Sequence, residues 1–252
     1  MMLFPASFGR CETVSVAPQA LVSFHAIDAA DDRSGGIDYA ESLLDADEAR
    51  RAGRLRPAQH RAQWVVAHAV QRQQLASFLR CAPHEVRYQR SSSGRPSLVS
   101  AHNDWESTDF NISHSGDILL LGITDRGRIG VDVEGWMQTD RTPHWASLSD
   151  RESRWVAGQA DPFAAFIRLW TRKEAIVKAL GTGLPDHLAA LDVLMPTDST
   201  NAVICTPWGE MVRVVDLPSP PRFHAAAAVT ALDVMVRVVA DAPPLLRLGV
   251  NS

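Results

Sequence analysis

The chain is poor in cysteine. Cys11, Cys81 and Cys205 are its only three in 252 residues, odd in number and far apart, with no C-x-x-C pair. That spacing excludes a disulfide framework and a structural zinc site. Long apolar runs are missing too: nothing approaches the roughly 20 residues that cross a bilayer. The opening MMLFPASFGRCETV lacks the basic and continuous apolar regions of an export signal, so a cytoplasmic protein with no membrane partner is expected. Nor is there a surplus of positive charge. With 25 Lys and Arg against 29 Asp and Glu, the formal net charge is -4, which excludes the basic excess behind non-specific nucleic-acid binding. No P-loop, no G-x-G-x-x-G after a strand, no H-E-x-x-H and no G-x-S-x-G elbow occurs. Without a short-period repeat, a solenoid or propeller is not expected either.

What is present is ordinary globular material, 46% hydrophobic and 21% charged, enough for one sizeable core or two smaller ones. After an irregular opening, Asp45 to Leu55 carries acids early and arginines late, the order a helix dipole favours. Pro57 can occupy the first turn of a second helix running to about Arg80. Glu85 to Gln89 reads as a strand, followed by the turn-rich SSSGRP. Then come DFNISHS, ILLLGIT (118–124) and RIGVDVE (128–134), the last two expected to form a hairpin across Asp125, Arg126 and Gly127. Helices return over Ser149 to Ala157 and Pro162 to Leu180, the second stopped by GTGLP. Short apolar stretches at 191–195, 202–205, 211–217, 223–229 and 234–239 read as strands. Both halves thus run helices first and strands after. The expectation is an α+β fold of two similar subdomains, 1–127 and 128–252.

Four groups could carry chemistry. Asp132 and Glu134 in GVDVE leave one strand face together. Paired carboxylates suit a hard cation such as magnesium, although D-x-E taken alone is more often a solvated face. Glu174, in W-T-R-K-E-A-I-V-K, falls inside the apolar arc of Phe163, Phe166, Ile167, Trp170 and Val177. A carboxylate there calls for a metal, a cation or a raised pKa; Lys178 lies one turn on, and a plain i,i+4 pair is the simpler alternative. F-N-I-S-H-S-G places Ser113 and His114 where hydroxyl, imidazole and backbone N–H groups can donate to phosphate, or merely form a turn. Arg50, Arg51, Arg54, Arg56, Arg61 and Arg95 offer bidentate phosphate contacts, with a solvated helix face as the alternative for Arg54 and Arg56.

Taken in order, G-R-P-S-L, F-N-I-S-H-S-G, I-G-V-D-V-E and W-T-R-K-E-A-I-V-K-A-L-G-T-G-L resemble the 4′-phosphopantetheinyl transferases, the monomeric surfactin-synthetase-activating type above all, from about Ala49 to Leu184. The resemblance implies a pseudo-twofold α+β protein with coenzyme A as substrate in the cleft between its halves. Magnesium, or manganese in its place, would lie on the pyrophosphate, held by Asp132, Glu134 and Glu174. It implies Lys178 as a contact to phosphate and to the departing group, Ser113 and His114 as the coenzyme A-binding pair, and Arg61 and Arg95 as further phosphate contacts. Arg95 stands where the family usually has lysine. The upstream basic contact falls among Arg50, Arg51 and Arg54, with Arg51 carried among the coenzyme A contacts. The implied activity moves 4′-phosphopantetheine onto a serine of an apo acyl or peptidyl carrier protein of polyketide, nonribosomal peptide or fatty acid synthesis, with Glu174 as general base. Met137 and Trp145 are candidate carrier contacts. Two other readings stand beside it: a noncatalytic coenzyme A-binding or carrier-docking module, and a metal-dependent nucleotide phosphodiesterase.

Overall fold

The computed structural model of the chain describes residues 18–27, 36–90, 94–99, 105–135, 144–183, 187–196 and 199–239. Two four-stranded sheets form its frame. The first contains β1 (Gln19–Ala26), β4 (Asp109–Ser115), β5 (Ile118–Thr124) and β10 (Met235–Val239), in the order β10-β1-β5-β4. The second contains β6 (Ile129–Gly135), β7 (Asn201–Cys205), β8 (Met211–Asp216) and β9 (Phe223–Val229), in the order β6-β9-β8-β7. Neighbours are antiparallel except β1 and β10, which run parallel. A small ribbon pairs β2 (Tyr88–Arg90) with β3 (Pro96–Leu98). The helices are α1 (Gly36–Leu43), α2 (Ala46–Ala52), α3 (Ala58–Leu79), α4 (Asp150–Ala157) and α5 (Pro162–Leu180). The α+β class expected from the sequence holds, and because β10 joins the first sheet, sheet membership crosses residue 127.

The hairpin expected between β5 and β6 does not form. The two strands belong to different sheets, and β5 pairs with β4 and β1 instead. Ile129, Val131 and Val133 of β6 share one apolar cluster with Leu120 of β5 and with Ala20 and Val22 of β1. Stacking the sheets face to face buries all of these side chains, whereas pairing β5 and β6 edge to edge would leave one face of each wet. A second cluster lies between α5 and the other face of the second sheet, where Leu169, Ile176, Val212, Val214, Ala226 and Ala228 meet. Smaller clusters under α3 complete the core.

Other local expectations are corrected. The opening contains β1, and α1 precedes the helix read from Asp45. Pro57 is the N-cap of α3, not part of its first turn. The strand expected at 85–89 gives way to a short 3₁₀ turn over Pro83–Glu85, with β2 beginning at Tyr88. Leu191 and Val193 are buried, but 191–195 is not a strand, because side chains take the place of a ladder: the amide of Val193 donates to Glu152 and that of Leu194 to Asp192.

One arrangement occurs twice. In α2 the N-cap Asp45 and Glu48 form a capping box, and Glu48 accepts from the fully buried Arg72 of α3 at 2.8 and 3.1 Å. In α4 Ser149 and Glu152 form the same box, and Glu152 lies 2.7 Å from the fully buried Lys173 of α5. Each cation also donates to backbone carbonyls beyond its helix: Pro83 and Val86 for Arg72, Leu188 and Leu191 for Lys173. A short capped helix is thus locked onto a long one by a buried ion pair in each half.

Gly130 fixes the distance from β6 to α5. A Cβ there would run into the Ala175 carbonyl and the Ala179 amide, both helix backbone. Gly130→Ala is therefore expected to cost ~2–3 kcal/mol through overpacking, read as a lower urea midpoint; an unchanged midpoint would show that the helix can shift without cost.

Candidate active site at the seam of the two sheets

Strands β4 and β6 are edge strands of different sheets, and they run side by side joined by side chains. Asp109 accepts from the Ile129 amide at 2.8 Å, Asn111 from the Val131 amide at 2.9 Å and Ser115 Oγ from the Gly135 amide at 3.1 Å. Ser113 donates to Asp132 at 2.8 Å and Ser115 to Glu134 at 3.0 Å. The alternate polar residues of DFNISHS thus replace a backbone ladder, covering an edge of β6 that would otherwise stand open. That pattern is legible as D-x-N-x-S-x-S facing I-G-V-D-V-E-G about twenty residues later, a pairing of strands that neither phosphate donors nor a turn had called for.

Helix α5 lies across this seam. Lys178 extends its ammonium to Asp132 at 2.6 Å, to Ser113 Oγ at 3.2 Å and to the Val131 carbonyl at 3.3 Å. Asp132 is 3% exposed. Its carboxyl is pushed above the usual range by burial, against the pull of the Lys178 ammonium and the Ser113 hydroxyl. Its Oδ2 is buried with no hydrogen-bond partner, a costly arrangement for an ionised oxygen. Glu134 is half-buried two residues on, as the strand alternation predicts, and Glu174 is half-buried one turn before Lys178.

Asp132, Glu134 and Glu174 are not drawn into one cluster: among the described residues, no three His, Cys, Asp or Glu side chains form a group that could hold a metal ion. The Lys178 ammonium serves as the cation beside Asp132 instead. The donor chemistry still fits magnesium, since carboxylate oxygens are its preferred ligands and Asp132 Oδ2 is an orphaned one.

The remaining predicted residues are spread more widely. Ser113 is buried in the seam, whereas His114 beside it is exposed on the opposite strand face. Arg61, on α3, pairs with Glu41 at 2.7 Å. Arg50 and Arg51 both pair with Asp47 on the surface of α2. Arg95 is turned inward, donating to Asp109 and to the carbonyls of Lys178, Phe110 and Ile129. Trp145 is 47% exposed and packs edge-on against Phe166 at 4.8 Å, with Trp170 stacked beyond it. Met137 lies outside the described residues.

A cavity of about 460 Å³ opens beside the seam, lined by Arg51, His68, Gln71, Arg90, Asn111 and Ile112 among others. Apart from Arg51, none of these was singled out from the sequence as an individual site residue, although His68 and Gln71 sit three apart on α3, a spacing that puts two polar groups on one face. The His68 ring stacks on Trp64 at 3.6 Å, and its Nδ1 lies 3.0 Å from the Trp64 carbonyl. Burial lowers its pKa to about 4, as it does for His25 on β1. The unfolded chain therefore takes up protons on both rings near the ordinary imidazole value of 6.5 while the folded chain does not. Their contribution to stability is complete above that pH and is lost as the pH falls toward 4. Thermal midpoints should fall between pH 7 and 5, and His68→Phe should flatten that fall; a midpoint constant over this range would contradict the burial of these neutral rings.

Family models match along most of the described chain: 4′-phosphopantetheinyl transferase, N-terminal, over residues 34–124, and the 4′-phosphopantetheinyl transferase superfamily over 128–226. The chain belongs to the 4′-phosphopantetheinyl transferase superfamily. It is 32% identical to the 4′-phosphopantetheinyl transferase AcpT of Salmonella typhimurium, over 45% of this chain and 64% of that one. It is 28% identical to the 4′-phosphopantetheinyl transferase HetI of Nostoc, over 69% of this chain and 75% of that one. Three bacterial relatives are matched over only 61–64% of their own length. Among solved structures, the holo-[acyl-carrier-protein] synthase of Thermotoga maritima aligns over 40% of this chain and 61% of that one, at 22% identity and a TM-score of 0.31.

Proposed function

We propose that this protein transfers 4′-phosphopantetheine from coenzyme A to a serine of an apo acyl or peptidyl carrier protein, releasing adenosine 3′,5′-bisphosphate. The observation that carries this reading is the Asp132–Lys178–Ser113 cluster at the sheet seam, with Asp132 and Lys178 inside the span of the superfamily model and Ser113 inside that of the N-terminal one. The carrier serine oxygen attacks the β-phosphorus of coenzyme A, the bond from that phosphorus to the bridging oxygen breaks, and the electron pair stays with the departing nucleotide. Glu174 takes the serine proton. Lys178, tethered to the seam, offers its ammonium to the charge gathering on the departing phosphate. A magnesium or manganese ion, on which Asp132, Glu134 and Glu174 would have to close, would supply charge stabilisation at the pyrophosphate. The nucleotide end of coenzyme A is assigned to the neighbouring cavity, whose lining carries Arg51 and Arg90 alongside Asp45, Asp47 and Glu48. We further read the chain as a cytoplasmic monomer of the surfactin-synthetase-activating type with two subdomains, docking its carrier near Trp145.

Incubating the full chain with magnesium, coenzyme A and an apo carrier, and weighing the carrier by mass spectrometry, tests the reading. A mass gain of one phosphopantetheine supports it. Nucleotide release without a carrier would point to a phosphodiesterase, and coenzyme A binding with no product to a docking module.

A further inference from the structure

The last carbonyls of α5 run out of helical partners by geometry, and two arginines from outside the helix reach this end. Arg95 donates to the carbonyl of Lys178, and Arg128 donates to that of Leu180 at 2.9 Å. A glycine follows because the helix closes there in a left-handed turn: Gly181 has φ 71, and its amide returns to the Val177 carbonyl. Arg95 does more than cap. The same guanidinium donates to the Ile129 carbonyl at 2.8 Å and to Asp109, whose carboxylate accepts from the Ile129 amide. One side chain therefore ties the last turn of α5 to the beginning of both seam strands. Its side chain is 10% exposed, and each of its terminal nitrogens is already donating within the protein.

The geometry points to Arg95 as the positioning residue of the site rather than a contact to coenzyme A: it holds the backbone of Lys178 so that the ammonium of that residue reaches Asp132 and Ser113. The claim rests on the transfer reading for its kinetic part. Lys178 approaches Asp132 from the helix while Asp132 is fixed by β6, and Arg95 fixes these two elements relative to each other, from a point three residues before Asp132 on β6 and at the backbone of Lys178 itself. A lysine at 95 offers three donors from a single nitrogen and lacks the fork that spans a carboxylate and two separate carbonyls.

Arg95→Lys and Asp109→Asn are the test, each compared with the wild type for kcat, for KM toward coenzyme A and for amide exchange over 177–181. Asp109 is the second variant because it removes the charged partner of Arg95 without altering any cation. Both variants are expected to lose about 10–100-fold in kcat, to hold KM for coenzyme A within about threefold, and to exchange the Gly181 amide faster than the wild type. A KM raised tenfold or more in Arg95→Lys with kcat retained would make Arg95 a phosphate contact and overturn the claim. So would full activity in both variants. If the wild type itself transfers nothing, the transfer reading fails on its own, and amide exchange alone decides the clasp: faster exchange in both variants supports it and unchanged exchange refutes it.

Discussion

Asp132→Asn is expected to lower transfer to the carrier by about 10²–10³-fold while leaving the chain folded, and Glu174→Gln by about 10²–10⁴-fold. Asparagine has the shape of aspartate and can keep accepting from Ser113, so the packing around β6 survives. What is lost is the negative charge that orders the Lys178 ammonium and an oxygen that, buried without a partner, is suited to a cation. Glu174 sits one helical turn from Lys178 on the same α5, and glutamine there keeps the volume but cannot accept a proton from the carrier serine. Single-turnover transfer with saturating coenzyme A is the measurement. Rates within threefold of wild type in either variant would remove that carboxylate from the reaction.

Lys173→Met should destabilise the fold by about 3–5 kcal/mol, more than any other single change considered. The ammonium is fully buried, 2.7 Å from Glu152, and donates to the carbonyls of Ser147, Leu188 and Leu191 at 2.8, 3.1 and 2.6 Å. Removing it strands a buried carboxylate as well as three carbonyls. Glu152 is itself a junction, capping the Ser149 amide at 2.8 Å and holding the Val193 amide at 2.9 Å. Burial lowers the pKa of Lys173, and its bond to Glu152 works the other way. The double variant Glu152→Gln with Lys173→Met should be less unstable than the sum of the two single changes, because the stranded charge is gone. Strict additivity in urea denaturation would mean that the two groups do not depend on each other.

Local signals were read well and distant ones were not. The helix read from Pro162 to Leu180 has those bounds in the structure, because Pro162 in the first turn and Gly181 after the last are signals carried by the helix itself. The shared face of Asp132 and Glu134 likewise needs only the twofold repeat of a strand. The partner of a strand is another matter. Nothing near Gln19 announces that it will lie beside Met235, and two adjoining apolar segments such as β5 and β6 look the same whether they pair by edges or stack by faces. The fate of Arg95 was hidden for a related reason: its partners Asp109, Ile129 and Lys178 are 14, 34 and 83 residues away, so its motif told of an arginine in a turn and not of where the guanidinium is used.

The position of β10 has a bearing on how the chain is made. β1 receives one neighbour from β5 and the other from β10, whose residues are synthesised more than two hundred positions after β1 begins. A nascent chain that has already released both long helices still presents the outer margin of β1 to the surroundings. The sheet that β1 begins therefore closes only after the second sheet has been made, and a ribosome stalled before Met235 would leave the border of β1 open to other chains.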